Sequence, residues 1–385
     1  MSGYKPFAAF VGEVLARTGE RQDQVVIQKP FVERIKKAGD TWVIDVRDAP
    51  RFISPKVFSQ LVTDRLGGSM SFFKDTRLSD ELRRRYLNEL AEAAADRPLV
   101  LRITGDKVDA VLSEQYAFYD NNRLLLTLAK FTQDGTLPSD LYVHSSYVSD
   151  GARELSMRLI SPDNWNHGSN GGTYYGSVAF ANNEVGTGSL VVAPAIARVA
   201  CFNYVLASNT IQANHRFTTA DELDAAIRSG VQHIQTYSAT MYERMQHMKG
   251  VAFDAPEAVF AMVGKQLGLP EHVENKAKSY WLNEGSDPTA YGLLQAITNG
   301  TQEYMVAKTK KSPVRWDTRN DIEQRIWIWS ENILDRHQKG EDVNRILSDQ
   351  ELIRKSKVLE ALTVGGDTAH ARQLVVAIEP ESWVN

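Results

Sequence analysis

"FANNEVGTGSLVVAPAIARVACFN", residues 180–203, decides how the centre of the chain folds. It opens on a polar turn with one carboxylate, Glu184, and with Gly186 and Gly188 beside it. An almost charge-free run follows, broken by Arg198 and closing on Cys201, the chain's one cysteine. The overlapping "GSVAFANN" reads as a strand, and the two glycines suit the positive φ of a hairpin turn. "GSLVVAPAIARVACFNYVLA" reads as a strand running into a buried helix, with Pro194 near the junction. A short apolar run has no period that separates strand from helix, so this reading rests on composition alone.

Outward from that stretch the middle of the chain is β-rich. "DLYVHSSYVS" and "ELSMRLIS" are strand candidates separated by Asp150 and Gly151, and "NWNHGSNGGTYY" is a loop by its Asn and Gly content. Towards the N-terminus, "TWVIDV" (41–46) and "LVLRIT" (99–104) have strand character. "PFVERIKKAG" reads as helical, and "PKVFSQLVTDRLGG" as a helix closed by Gly67 and Gly68. In "LSDELRRRYLNELAEAAADRP" the spacing of Leu82, Tyr86, Leu90 and Ala94 marks one helical face.

From Thr218 the pattern becomes helical. Thr219 and Glu222 have capping-box spacing, and Leu223, Ile227, Val231, Ile234, Met241 and Met245 recur at helical intervals up to Gly250. Helical segments continue at "APEAVFAMVGKQLG", "AYGLLQAITNGTQEYMVAK", "NDIEQRIWIWSENILDRHQ" and "DQELIRKSKVLEAL", and "VVAIEPESWVN" ends the chain as strand and tail. The fold class expected is α+β: a mixed sheet-and-helix core followed by a mainly helical C-terminal region. Its parts are a lead-in at 1–40, the α/β core at 41–217 and the helical region at 218–385 packing on that core.

With 385 residues, 43% hydrophobic and 24% charged, the chain has the composition of a globular protein. Its formal charge of −4 excludes a simple basic coat for nucleic acid and leaves room for a local basic groove. No apolar run approaches the roughly 18 residues of a membrane span, so no membrane partner is expected. The N-terminus lacks a basic region followed by an apolar core, and a single cysteine cannot form an internal disulfide, so the expected compartment is the cytoplasm.

Catalytic and cofactor chemistry find little support. Cys201, among apolar neighbours, fits a small core residue better than a nucleophile. His144, Asp163, His167 and Glu184 show no metal-site spacing. "EVGTGS" lacks both the third glycine of a dinucleotide fingerprint and the ending of a phosphate loop, so no cofactor is expected. No catalytic residues are assigned, and the reading leans away from an enzyme.

Cations are more suggestive. Lys308, Lys310, Lys311, Arg315 and Arg319 surround Trp316, a mixture suited to phosphate contact and base stacking. Arg83, Arg84 and Arg85 lie beside Tyr86. The nucleic-acid candidates are therefore Lys308, Lys310, Lys311, Arg315, Trp316, Arg319, Arg83 and Arg84.

Three pieces taken together resemble one family. "VDAVLSEQYAFYDNN" (108–122) carries a Leu-Ser step, then a Tyr, then Asp-Asn; residues 180–203 carry Asn-x-Glu-x-Gly, then Arg-x-x-Cys-x-Asn; "TAYGLLQAITNGTQEY" follows. This layout is similar to the phage- and plasmid-like "domain of unknown function 932" family, over roughly 40–310. The matching positions are Ser113, Tyr116, Asp120, Asn121, Asn183, Glu184, Gly186, Arg198, Cys201 and Asn203. Two positions depart from the pattern: Tyr204 stands where the family has Gly, and Asn182-Asn183 replaces Asn-Ser. The resemblance implies a setting in mobile elements, near DNA metabolism or anti-defence functions. It assigns no activity.

Arg198 on an apolar segment needs a partner to offset desolvation, and Glu184, Asp120 or Asp109 is expected to supply it, which makes these positions architecture. The function expected is a phage- or plasmid-type nucleic-acid-binding protein in single-strand annealing or recombination, acting as a homo-oligomer on single-stranded DNA. The alternative is an interaction protein that inhibits a host defence or replication factor.

Overall fold

The computed structural model describes residues 4–18, 21–26, 35–39, 41–46, 49–94, 99–113, 115–149, 152–167, 174–186, 188–198, 203–206, 211–213, 215, 218–232, 234–283, 286–306, 316–348 and 362–364. Strand β1 (Lys5–Pro6) leads into helix α1 (Phe7–Arg17), and then come β2 (Arg21–Val26), β3 (Ile35–Ala38), β4 (Thr41–Val46) and β5 (Ala49–Ile53). Helix α2 (Pro55–Ser59) starts where Ser54 accepts a hydrogen bond from the Val57 amide, and it runs on as a π-helical turn, Gln60–Arg65. Next are α3 (Met70–Lys74), α4 (Asp80–Ala93), β6 (Leu99–Thr104) and β7 (Lys107–Ser113). The N-terminal strands and those after them form a six-stranded sheet of order β2-β6-β7-β5-β4-β3, antiparallel except for β5 against β7. Ile44, Ile53, Leu101, Ile103 and Val108 bury one face of it under Phe58, Leu61, Phe73 and Leu87 from the helical elements.

The second sheet takes the middle of the chain: α5 (Asn121–Gln133), β8 (Tyr142–Val148), β9 (Glu154–Ile160), β10 (Asn166–His167), β11 (Tyr174–Asn183), β12 (Leu190–Arg198), β13 (Asn203–Leu206) and β14 (Ile211–Ala213). Its order is β1-β8-β9-β11-β12-β14-β15, where β15 is Leu362–Val364; β10 adds to β11 and β13 adds to β12. Val178, Phe180, Leu190 and Val192 pack with Leu124, Leu128 and Phe131 of α5. The C-terminal region is helical: α6 (Ala220–Gln232), α7 (Ile234–Met248), α8 (Pro256–Leu267), α9 (Glu271–Asn283), α10 (Ala290–Val306), α11 (Trp316–Gln338) and α12 (Val343–Ser348). The fold is therefore α+β, a sheet core with a helical C-terminal region. Among the described residues no helix is long and apolar enough to cross a membrane.

The capping box forms as expected: the Thr219 amide donates to Glu222 Oε2 at 2.7 Å, and the Glu222 amide to Thr219 Oγ1 at 3.2 Å. The helical run it starts is divided into α6 and α7. Other expectations need correction. Among the described residues of 190–206 there are two strands and no helix. Pro194 pairs with Val178 inside β12, and on the other edge pairing with β14 stops at Val192 and resumes with β13 at Ala195. Proline has no N–H to donate, so the second partner is split there. "IKKA", within the segment read as a helix, is β3. Helix α4 forms as expected, and Tyr86, Leu90 and Ala94 of the stripe pack against the core beside the buried Arg83, Leu87 and Ala91; of the stripe Leu82 alone is exposed. "DQELIRKSKVLEAL" lies outside the described residues apart from Leu362, which opens β15, and "VVAIEPESWVN" lies wholly outside them.

Candidate functional site

The family-like positions Tyr116, Asp120, Asn121, Asn183, Glu184 and Gly186 converge where the two sheets meet. Arg102 of β6, 1% exposed, sets one guanidinium nitrogen 2.7 Å from Asp120 Oδ1 and another 3.6 Å from Glu184 Oε2; Glu184 is fully buried. Arg102 also donates to the Glu184 carbonyl at 3.1 Å, and its guanidinium lies 5.1 Å from the Phe118 ring centre. Glu184 Oε1 accepts the Asn121 amide at 2.5 Å. That amide is the first of α5, so the carboxylate faces the positive end of the helix and serves as its cap. Asp120, at the N-cap position, makes no side-chain capping bond, having turned to Arg102.

Amides extend the network. Asn121 Nδ2 donates to the Ala152 carbonyl at 2.6 Å, and Asn182 Nδ2 to the Tyr119 carbonyl and to Asn121 Oδ1, both at 2.9 Å. Asn182 Oδ1 lies 2.9 Å from His215 Nε2, and the Ala117 carbonyl lies 3.3 Å from His215 Nδ1; both are acceptors, so a neutral ring donates to one of them at a time. Burial, helped by the Arg102 charge, pushes His215 down to about 4 against an opposing pull from the Ala117 carbonyl and Asp120. Tyr116 stacks on His215 and donates its hydroxyl to the Asn183 carbonyl at 3.0 Å. A second tie crosses nearby: the register of β6 and β7 slips at Asp109, whose carboxylate accepts from Thr104 Oγ1 at 2.6 Å and pairs with Arg153.

Gly186 closes the junction. Its φ is +72°, and a Cβ there would come within 2.6 Å of Leu112 Cδ2, so the turn needs glycine for both its backbone and its space. Ser113 ends β7, and Asn203 starts β13 opposite Arg198. Cys201 lies outside the described residues.

Arg198 does not take the carboxylates expected for it. It pairs with Tyr174 at the far end of the β11–β12 hairpin from Glu184 and lies over the Tyr174 ring at 6.0 Å. Ten strand residues separate the two ends, about 30 Å of chain, beyond the reach of any side chain. The same distance separates His167, paired with Tyr174, from Glu184. Among the described residues no three ligating side chains gather as a metal site. His167 instead holds Ser238 Oγ at 2.7 Å.

Of the basic candidates, Arg83 is buried, bonded to Asp80 Oδ1 and the Asp75 carbonyl, both at 2.6 Å, and packed near Trp42. Arg84 is engaged by Glu81 at 2.7 Å. This corrects the assignment of Arg83 to an open cationic surface, because it is buried and bonded; Arg84 stays at the surface beside Glu81. Lys308, Lys310, Lys311 and Arg315 lie outside the described residues; Trp316 and Arg319 stand in the first turns of α11, their side chains outside the description.

A cationic surface is found elsewhere. On the six-stranded sheet one cross-strand row reads Lys36 (β3), Val43 (β4), Phe52 (β5), Lys107 (β7), and its register continues through Thr104 to Arg21. Phe52 is 40% exposed and both lysines are exposed. This is the face opposite the apolar core, and it is the same face whose other half carries Arg102 and Leu112 against the second sheet. The neighbouring positions are Ala38 and Thr41 on one side and Asp45 and Pro50 on the other, so along the strands two described lysines stand against one acid, with exposed Asp106 in the adjoining β6–β7 turn, where its carbonyl accepts the Phe52 amide. Sequence reasoning missed this row, because only the registers of four strands bring it together.

A second feature lies between α5 and α6, a groove of about 700 Å³ lined by Arg123, Leu126, Lys130, Phe131, Asp224 and Arg228. Leu126 is 56% exposed; Arg123 is bonded to Asp224 at 2.6 Å, and Arg228 stacks on Phe131 at 4.2 Å.

Comparison with protein-family models, curated proteins and solved structures finds no match for this chain.

Proposed function

We propose that the chain is a nucleic-acid-binding protein of the phage or plasmid type, a single-strand annealing or recombination accessory factor related to the "domain of unknown function 932" family. The observation that carries the reading is the open cationic half-face of the six-stranded sheet, where Lys36 and Lys107 flank an exposed aromatic. A sheet face with spaced cations follows a phosphate backbone, and binding then releases counterions. The sealed network around Arg102 supplies rigidity, because it fixes that sheet to the rest of the molecule.

The test is fluorescence anisotropy with dye-labelled 30-nucleotide single strands and duplexes between 50 and 200 mM salt, beside a strand-annealing assay, on the order of conditions under which phosphate contacts dominate. Binding that weakens steeply with salt and weakens further in Lys36→Gln/Lys107→Gln is expected. No binding of either form at low salt overturns the reading. One observation favours the alternative, an inhibitor of a host defence or replication factor: the exposed Leu126 in the α5–α6 groove. On that reading Leu126→Glu abolishes inhibition and leaves the sheet face irrelevant.

A further inference from the structure

We infer that Phe52 is a base-stacking platform and that the open sheet face takes single strands in preference to duplex, an inference that rests on the nucleic-acid reading and names its ligand class. Phe52 is 40% exposed in a strand whose next residue, Ile53, is fully buried, so the alternation of β5 aims this ring away from the core. Val43 lies beside it, and Pro50, Thr41 and Asp45 lie along the same face, which leaves a low floor of short side chains around the ring. Neighbouring strands are about 4.8 Å apart, so Lys107 starts roughly 5 Å from Phe52 on one side and Lys36 roughly 10 Å away on the other. A base stacked on the ring would therefore have cations within reach of the phosphates on both its flanks. Lone exposed apolar residues such as Leu82 and Leu282 are ordinary on protein surfaces. Phe52 differs from them in standing in line with two lysines on a flat face.

The single-strand preference follows from the ring's geometry. In a duplex both faces of each base are covered by its neighbours, and an aromatic side chain gains a stacking partner only from an unpaired base or one taken out of the stack. Stacking is also indifferent to base identity, since every base has a π-face. The face is thus suited to non-specific single strands.

The experiment measures Kd for a dye-labelled 15-nucleotide oligothymidine and for a 15-base-pair duplex with the full chain, in wild type, Phe52→Ala, Phe52→Leu, Phe52→Trp and Lys36→Gln/Lys107→Gln, lengths on the order of one single-strand site. Phe52→Ala and Phe52→Leu are expected to weaken single-strand binding about five- to hundredfold with the salt slope unchanged. Phe52→Leu keeps the apolar bulk, so its loss of affinity reports the missing ring and not a fold defect. Phe52→Trp should retain affinity and show fluorescence, over the wild-type background, that is quenched by the single strand. The lysine pair should lower both affinity and slope. Wild-type affinity in Phe52→Ala and Phe52→Leu, or equal affinity of wild type for duplex, overturns the stacking platform while leaving nucleic-acid binding in place; failure of wild type to bind either probe overturns both.

Discussion

One face of the six-stranded sheet is used in two opposite ways. At the β6–β7 end, Val100, Arg102, Ala110 and Leu112 are sealed under Tyr116 and the turn that carries Glu184 and Gly186. At the β3–β5 end, Lys36, Val43 and Phe52 stand in the open. Both ends carry cations, and the surroundings decide what each cation does. Arg102, out of water, is held by two carboxylates, one of which also caps a helix N-terminus, so its charge is used up in architecture. Lys36 keeps its water and its long-range field. A basic residue therefore advertises a ligand only where the fold leaves it unspent. Arg83 shows the same lesson on α4.

Substitutions can break or sharpen this contrast. The largest effect is expected at the sealed end: Arg102→Met strands Glu184 and Asp120, and Glu184→Gln leaves Arg102 undercompensated, each costing about 3–5 kcal/mol in urea unfolding. The double variant Arg102→Met/Glu184→Gln should recover part of that loss; simple additivity would show that the groups do not act as one unit.

Acidification should come next. His215, held near 4 in the fold against 6.5 for a free imidazole, binds its proton more readily when unfolded. The fold therefore has full stability above about 6.5 and loses it as pH falls towards 4, by roughly 3 kcal/mol at 1.36 kcal/mol per pH unit. Urea midpoints measured across that window in wild type and His215→Gln check it: the variant's slope with pH should flatten.

Gly186→Ala should cost about 1–3 kcal/mol, from a left-handed backbone and the overlap with Leu112, and Leu112→Ala in the same chain should relieve only the overlap. The smallest effect belongs to the open end. Lys36→Gln and Lys107→Gln should change unfolding stability by less than about 0.5 kcal/mol. A large loss there would mean that the open half is held by contacts after all.

Much of this contrast was out of reach of the sequence. Local signals read well: Thr219 and Glu222 cap α6 as their spacing requires, and "TWVIDV" and "LVLRIT" are strands, because caps and alternation are settled within a few residues. The turn at Glu184 was also legible as a turn with structural duty. Its partner was not. Arg102 lies 82 residues away in a strand that otherwise reads as plain apolar alternation, while Arg198, nearer in sequence, is carried to the far end of the hairpin. The run 190–206 misled because burial on both faces erases the period that separates strand from helix. The α4 stripe read correctly at Tyr86, Leu90 and Ala94, but a charge-based reading could not place Arg83 on the core side, where its apolar stem is buried. The row through Phe52 depends on pairing between β3, β4, β5 and β7, which no single stretch of chain encodes.

Far from either end of that sheet, Arg158 of β9 is fully buried against Glu323 of α11 at 2.7 Å, with Thr301 Oγ1 donating to the same carboxylate at 3.2 Å. The two charges are 165 positions apart along the chain. During synthesis at about 5–20 residues per second, on the order of ten to thirty seconds pass between the making of the arginine and the arrival of its counter-charge. For that interval the strand layer cannot close over Arg158 without a bare cation inside it, so the middle of the molecule must stay hydrated and unsealed until α11 exists. The last long helix thus sets the clock for the second sheet's completion, and a nascent chain halted before Glu323 is an open substrate for chaperones and proteases.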